Sequence, residues 1–502
     1  MIKKIPQQVI EVLQKIEEAG YEAYVVGGCV RDLIMDKMPK DWDVTTNAKP
    51  EEVMKMFADS FYENDFGTVG VKVEKFIENG FVNPNREHDV VEVTTYRIET
   101  TYSDRRRPDE VKFAETLEED LSRRDFTMNA LALRATRTNA DVTQNDAEEI
   151  GYEIVDLFDG RKDIEKKIIR AVGDADERFN EDALRMMRAV RFHAELNFEI
   201  EEKTFEAIKK NSKLITHVAL ERIKEELTRI MLSDNPAEGI DMLHKTGMLE
   251  FIIPEMEQGV GVAQNRHHIY TIYKHLLLSL KHCPSKKLEV RLAALLHDIA
   301  KPQTKRGEGE FATFYNHDHV GARTARKILT RLRFSNDVIE KVTMLVDNHM
   351  FYYNPEEVGE ASVRRLIKKV GLENLKDLMD VRISDRLGSG VPKAKPYKLR
   401  HLEYMIDKVS QDAVSVKMLK INGNDLMKEL SITPGPKIGA ILDVLLSEVI
   451  EDAFKNSREF LLGRAKELMD ENLDKLREMA KEKIEEKKEE DDKEIKGKHW
   501  VK

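Results

Sequence analysis

The fold class predicted for this chain is α+β, a mixed α/β head followed by a long helical body. Up to about Ala135, β-branched runs such as Val25-Val26 and Val90-Val91-Glu92-Val93-Thr94-Thr95 alternate with segments of helical period. After Arg161 strand signals vanish, and apolar residues recur at helical spacing almost to the C-terminus. At 502 residues the chain has room for about three separate cores.

Residues Pro6 to Ala19 place Val9, Ile10, Leu13 and Ile16 on one helical face that leads into the Val25-Val26 strand. Gly27-Gly28-Cys29-Val30-Arg31-Asp32 follows, and two adjacent glycines let backbone N–H groups approach a phosphate chain while Arg31 adds charge. Asp41 and Asp43, two apart on a predicted strand, project from one face. Hard carboxylate ligands at that spacing suit Mg²⁺, and two such ions can clamp an attacking hydroxyl and a transferring phosphoryl group. A phosphate cradle beside a two-carboxylate site points to nucleotidyl transfer. Glu92, in the next predicted strand, is the expected third carboxylate, with Asp89 in reserve. Neither G-x-x-x-x-G-K-[ST] nor G-x-G-x-x-G is present to offer a different phosphate site.

Leu121 to Ala130 concentrates Arg123, Arg124, Asp125 and Asn129 ahead of a predicted apolar helix. Forked arginine donors neutralise triphosphate oxygens, and Asp125 with Asn129 suits ribose hydroxyls. The polar, acidic stretch from Asn139 to Gly151 predicts a loop or hairpin at the boundary of the head. Beyond it, Glu181 to Phe192 reads as a helix with Asp182 and Arg185 three apart on one face and Arg188 and Arg191 continuing the basic series. An internal salt bridge is the plain reading of that pair. The functional one is that a carboxylate and a guanidinium at fixed spacing accept the Watson–Crick edges of cytosine and adenine and reject uracil and guanine, which leave buried polar groups unpaired.

The net charge of −11, taken alone, argues against a nucleic-acid partner. Arg105-Arg106-Arg107, Arg123-Arg124 and the series Arg185, Arg188 and Arg191 nevertheless gather positive charge in the first part of the chain, so a basic groove is expected within an acidic total. No apolar run approaches membrane-spanning length and Met1 to Ile5 lacks a signal-peptide pattern, so a cytoplasmic protein with no membrane partner is expected. Cys29 and Cys283 are expected to be reduced thiols, with Cys29 at a position where any small residue would serve. From Arg464 to Lys502 the chain is rich in Lys and Glu, with sparse Leu468, Leu473, Leu476 and Ile484, which predicts a solvated helix fading into a disordered tail.

With these residues in view, the chain resembles the bacterial class II CCA-adding tRNA nucleotidyltransferases, a branch of the polymerase-β-like superfamily that includes poly(A) polymerases. Gly27 to Asp32 with Asp41 and Asp43 resembles the family's first motif, and Arg123 to Ala130 its second. Asp156-Leu157-Phe158-Asp159-Gly160 resembles its hinge, Glu181 to Arg185 its base-reading motif, and Glu221 to Glu226 the helix that buttresses it. Tyr102 to Pro108 resembles its flexible loop. The resemblance implies template-independent addition of C, C and A to a tRNA 3′ end from CTP and ATP, with Mg²⁺ and release of pyrophosphate. The tRNA acceptor arm would lie along the helical body. A poly(A) polymerase and an A-adding or CC-adding specialist are the alternatives.

A second constellation, His275, His297-Asp298, His317, His349 and Asp385, resembles an HD domain, the helical phosphohydrolase module fused to some of these enzymes. It implies a second divalent metal, Mg, Mn or Ni; a tRNA-docking scaffold with buried histidines is the alternative. A third reading of the whole chain is an RNA-binding protein whose live chemistry is HD phosphohydrolysis. Ile421 to Leu426 and Thr433 to Gly439 resemble the family's C-terminal helical region, whose lysines and glycine turn suit tRNA phosphates. The expected division is a catalytic head over 1–137, hinge and neck over 138–235, a helical connection over 236–265, an HD-type domain over 266–400, and a tRNA-binding region with charged tail over 401–502.

Overall fold

The computed structural model describes residues 5–64, 67–76, 88–99, 111–137, 150–265, 269–390, 395–410, 416 and 419–501. The expected flexible loop Tyr102–Pro108 and most of the acidic stretch, 139–149, lie outside them. The chain forms two compact units, Met1–Val346 and Asp347–Lys502.

The first unit opens with helix α1 (Gln7–Glu18), which buries Val9, Ile10, Val12, Leu13 and Ile16. The head continues through β1 (Ala23–Val26), α2 (Gly28–Ile34), β2 (Trp42–Thr46), α3 (Pro50–Met56), β3 (Ser60–Asn64), β4 (Thr68–Val73) and β5 (Asp89–Thr95). A small pair, β6 (Arg97–Glu99) and β7 (Val111–Phe113), precedes α4 (Leu117–Ser122), β8 (Leu131–Arg137) and β9 (Ile150–Asp156). Seven of these strands form one sheet in the order β3-β4-β5-β2-β1-β8-β9. Every neighbouring pair in it is antiparallel except β2 and β5, which run parallel. In β5, Asp89, Val91, Val93 and Thr95 are buried while Val90, Glu92 and Thr94 are half-buried, the alternation of a strand with two unlike faces.

Two expectations for the head are corrected. The sheet runs on to Asp156, past the boundary expected at 137, because β9 pairs with β8 along its length. The apolar run after Asn129 is a strand rather than a helix. Leu131-Ala132-Leu133 forms helices readily by itself, but ladders to β1 on one side and β9 on the other outweigh that propensity.

The neck comprises α5 (Gly160–Lys166), β10 (Ile168–Ile169), α6 (Ala175–Glu181), α7 (Leu184–Leu196), β11 (Glu199–Ile200), α8 (Glu202–Asn211) and α9 (Leu220–Leu232). Strand structure therefore does not end at Arg161: β10 and β11 make a two-residue parallel ladder, too short to leave a periodic signal. Helices Ile272–Lys281, Leu288–Leu296 and His317–Arg331 follow in the same unit.

Among its described residues the second unit is helical, with a core that includes Ile421, Leu426, Ile441, Leu445, Leu461 and Leu476. Its boundary at Val346 and Asp347 divides the span expected as one HD-type domain. The predicted fading tail is also corrected, since Leu473–His499 is a single helix. Leu476 and Ile495 are buried, and the far end is fastened to helix Tyr397–Ser410 by His499 Nε2 to Asp407 at 2.8 Å and Lys498 to Asp407 at 3.0 Å. A few apolar positions on one stripe, with ion pairs beside them, are hidden by the Lys/Glu composition around them. Among the described residues no helix is long and apolar enough to cross a membrane, and Cys29 and Cys283 are both free thiols.

Candidate active site

The β1–α2 turn, the connection into β2, residues 123–129, α7 and α9 together line one cleft of about 980 Å³ in the first unit. At its floor β1 ends and Gly27 turns the chain into α2 with φ 80°. A Cβ at Gly27 would stand 3.1 Å from Arg124 Nη1, so the missing side chain is what admits that guanidinium.

Parallel pairing sets Asp43 directly opposite Glu92. Asp41 lies one residue before β2 begins rather than on the strand. Burial raises the Asp43 carboxyl above its ordinary range, with Arg124 pulling the other way and Asp41 adding to the rise. Glu92 is pushed up to about 7 by burial and by Asp43, Glu63 and Asp41. Crowded carboxylates that hold protons so tightly form an oxygen donor set suited to a divalent cation. Asp89 is buried and accepts the Phe76 N–H at 2.7 Å, and its odd position puts it on the other face from Glu92. Cys29 has a more specific place than expected. Its thiol donates to the Asp41 carbonyl at 3.1 Å and accepts the Asp43 N–H at 3.2 Å, beyond the last β1–β2 ladder pair, Val25 and Val44. Burial raises this thiol, so it is a packing and hydrogen-bonding group and not a nucleophile.

The arginine segment is held by buried carboxylates. Asp120, fully buried, takes Arg123 at 2.8 Å and Arg124 at 3.0 Å. Burial pushes its carboxyl upward, but Arg124 and Arg123 outweigh that and bring it to about 2. Arg31 binds Asp32 at 2.7 Å and donates to Asn129 at 2.8 Å; Asn129 donates to Asp125 at 3.2 Å, and Asp125 takes Arg188 Nε at 2.7 Å. Asp125 likewise titrates at about 2, because Arg188 outweighs the effect of burial. One continuous network thus joins α2, the second motif and α7.

Asp182 and Arg185, the pair expected to read the base, sit where α6 meets α7. Asp182 and Arg185 do not make the internal pair that their spacing allows as the plain reading. Arg185 binds Glu181 at 2.6 Å and the Arg123 carbonyl at 3.0 Å, whereas Asp182 takes Arg222 of α9 at 2.9 Å. Arg191 lines the cleft but is only 2% exposed and is committed to Glu226 at 3.0 Å and Glu195 at 3.4 Å. Burial lowers it to about 10. Sequence reasoning missed Lys37, Lys40, Arg97 and Arg229 in the cleft wall and left Arg222 inside a supporting helix. The two lysines bracket the approach to Asp41, a charge signal that was available; the aim of Arg97, Arg222 and Arg229 depends on packing that no local pattern encodes.

Elsewhere in the first unit, His275, His297, Asp298 and His317 meet in the interior. Asp298 lies 3.1 Å from His275 Nε2, 3.3 Å from His297 Nε2, 3.3 Å from His317 Nε2 and 2.6 Å from Lys301 Nζ. His297 Nδ1 faces the Ala294 carbonyl at 2.9 Å and His317 Nδ1 the Phe314 carbonyl at 2.7 Å, which leaves each Nε2 as the electron-pair donor. His349 and Asp385 belong to the second unit.

The family models agree with this anatomy. One described as the poly A polymerase head domain matches residues 23–170, one described as "Probable RNA and SrmB-binding site of polymerase A" matches 197–259, and one described as "tRNA nucleotidyltransferase domain 2 putative" matches 310–465. The chain is 33% identical to the CCA-adding enzyme of Ligilactobacillus salivarius over 479 residues, covering 94% of this chain and 100% of that relative. It is 33% identical to the CCA-adding enzyme of Enterococcus faecalis over 473 residues, covering 92% and 95%. Its fold matches the crystal structure of the Bacillus stearothermophilus CCA-adding enzyme in complex with CTP, with a TM-score of 0.55 and 26% identity over 92% of this chain and 96% of that one. With the carboxylate pair, the arginine segment and the α6–α7 junction gathered in one cleft, and with likeness running the length of its relatives, the chain belongs to the family of CCA-adding enzymes.

Proposed function

We propose that the protein adds C, C and A in turn to the 3′ end of tRNA, consuming CTP and ATP and releasing pyrophosphate. The observation that carries this reading is the single cleft in which Asp41, Asp43, Arg124, Asn129 and Asp182 share a wall. Asp41, Asp43 and Glu92 would hold Mg²⁺, which supplies activation of the 3′ hydroxyl and charge for the departing pyrophosphate. Gly27 and Gly28 leave room for the triphosphate, and Arg31 and Arg124 neutralise it. Asp125 and Asn129, oriented by Arg188, hold the ribose. Asp182 accepts the exocyclic amine shared by cytosine and adenine, and Arg185 completes the base edge. Arg191 supports this wall from beneath through its pairs with Glu226 and Glu195. No membrane partner enters this scheme, and a cytoplasmic setting suits both a tRNA substrate and two free thiols.

The test is extension of tRNAs ending before CCA, after C and after CC, with each nucleoside triphosphate alone and in combination. Growth by C, C and A that then stops is expected. Long A tails select a poly(A) polymerase, and addition of A to the CC end alone selects an A-adding specialist.

A second reading is favoured by the buried cluster of His275, His297, Asp298 and His317. These residues offer nitrogen and oxygen donors to a divalent ion such as Mg, Mn or Ni, which would activate water for phosphate-ester hydrolysis. Metal content and phosphate release should both fall in His297→Ala while tRNA extension persists; metal content unchanged by that substitution would remove the reading.

A further inference from the structure

Three guanidinium groups of the cleft meet at one aromatic ring. Phe192, on α7, lines the cleft yet is only 4% exposed. Over its ring stand Arg191 at 4.2 Å, Arg31 at 5.4 Å and Arg188 at 5.6 Å, measured from guanidinium carbon to ring centroid. Arg188 lies four residues before Phe192 on the same helix and so shares its face, whereas Arg31 comes from α2. Phe126, buried beside Asp125, meets the same ring edge to face, with centroids 5.8 Å apart and planes at 87°.

Three like charges gathered around one point repel one another. Asp32 and Asn129 accept from Arg31, and Asp125 takes Nε and Nη2 of Arg188. Those hydrogen bonds act along the edges of each planar guanidinium and leave its faces to other partners. An aromatic ring carries negative charge density on its face, so it attracts the cations without consuming any of their N–H donors. Donors kept out of such contacts are what a phosphate chain requires. The Arg31 side chain is only 11% exposed, so water screens the attraction little there.

We propose that Phe192 is a positioning residue for the incoming nucleotide: through its ring face it holds Arg31 and Arg188 in the poses that receive the triphosphate and brace Asp125 at the ribose. This rests on the reading of Arg31 as a triphosphate ligand. Triphosphate and ribose are common to CTP and ATP, so the ring serves both nucleotides alike. The experiment is single-nucleotide addition, CTP to a tRNA lacking CCA and ATP to a tRNA ending in CC, with KM and kcat measured for each substrate. Wild type is compared with Phe192→Leu, with Arg31→Ala, and with full-length protein carrying mono-, di- and trifluorinated phenylalanine at position 192, introduced by nonsense suppression. Fluorine strips negative charge from the ring face in steps while leaving shape and apolar character nearly unchanged. KM does not depend on the fraction of protein folded, so a loss of stability alone leaves it unmoved. KM for CTP and for ATP should climb together along the fluorinated series, by about fivefold or more at its end, while KM for tRNA stays level. Phe192→Leu, which has no π face, should raise both at least as far. A flat fluorinated series, or a rise for one nucleotide alone, overturns this inference and leaves the ring a packing group, provided that Arg31→Ala raises KM for both nucleotides. KM unchanged in Arg31→Ala overturns the triphosphate role on which the inference stands.

Discussion

Burial first, and then Asp43 opposite it across the ladder, raises the proton affinity of Glu92, and the effect has a measurable sign. Glu92 titrates near 7 in the fold, above a free glutamate, so its contribution to stability is present at pH 4 and is lost as pH rises through 7. The metal-free protein should melt progressively lower between pH 5 and 8, Glu92→Gln should flatten that trend, and added Mg²⁺ should reverse it; a calorimetric pH series checks this. Asp41→Ala is expected to abolish extension while tRNA binding, measured on a filter, remains. Asp120 acts through other groups. Its carboxylate is buried between two arginines, and Asp120→Ala should cost about 3–5 kcal/mol, the usual penalty for orphaning a buried charge. Because this group titrates near 2, the wild-type advantage should hold above pH 4 and disappear as pH falls toward 2.

At the scale of elements, the turn between β9 and α5 shows how the segment that resembles a hinge motif is built. The Asp156 carboxylate accepts the Gly160 N–H at 2.7 Å and the Arg161 N–H at 3.0 Å, and a Cβ on Gly160 would stand 2.2 Å from the Thr127 carbonyl oxygen. Gly160→Ala should therefore lower the melting temperature, by an overpacking cost of about 1–3 kcal/mol or more, and disturb the arginine segment next to Thr127. Much of this level was legible in the sequence. The period of residues 6–19 located α1, β-branched runs located β1 and β5, and the glycine pair with Asp41, Asp43 and Glu92 was recognisable from spacing. What stayed hidden depends on long-range partners. Leu131-Ala132-Leu133 became a strand because two ladders claim it, β10 and β11 are too short to show a period, and Asp182 is served by Arg222 because α9 packs against α7. Cys29 looked replaceable because a thiol bridging two backbone groups leaves no trace in local sequence.

At the scale of the molecule, the second unit has its own core and its own fastening. Asp407 accepts His499 and Lys498 from the end of the last helix. Burial raises its carboxyl, but these partners outweigh that and hold it below the usual carboxylate range. Its contribution is thus present above the ordinary carboxylate pKa and lost on acidification. Asp407→Asn should lower the melting of full-length protein at pH 7, and the gap from wild type should narrow as pH falls toward 3. A substitution that leaves the melt unchanged at pH 7 would show that the last helix is held by its apolar stripe alone.

The lone parallel pairing in the head sheet bears on which changes in chain length the molecule can accept. A hairpin would have fastened Asp43 to Glu92 through a turn of set size. Parallel neighbours are joined by a crossover instead, and its length does not enter the register. A single residue inserted after Val44, inside β2 itself, would instead shift Asp43 against Glu92 and turn half of the carboxylate site toward the opposite face.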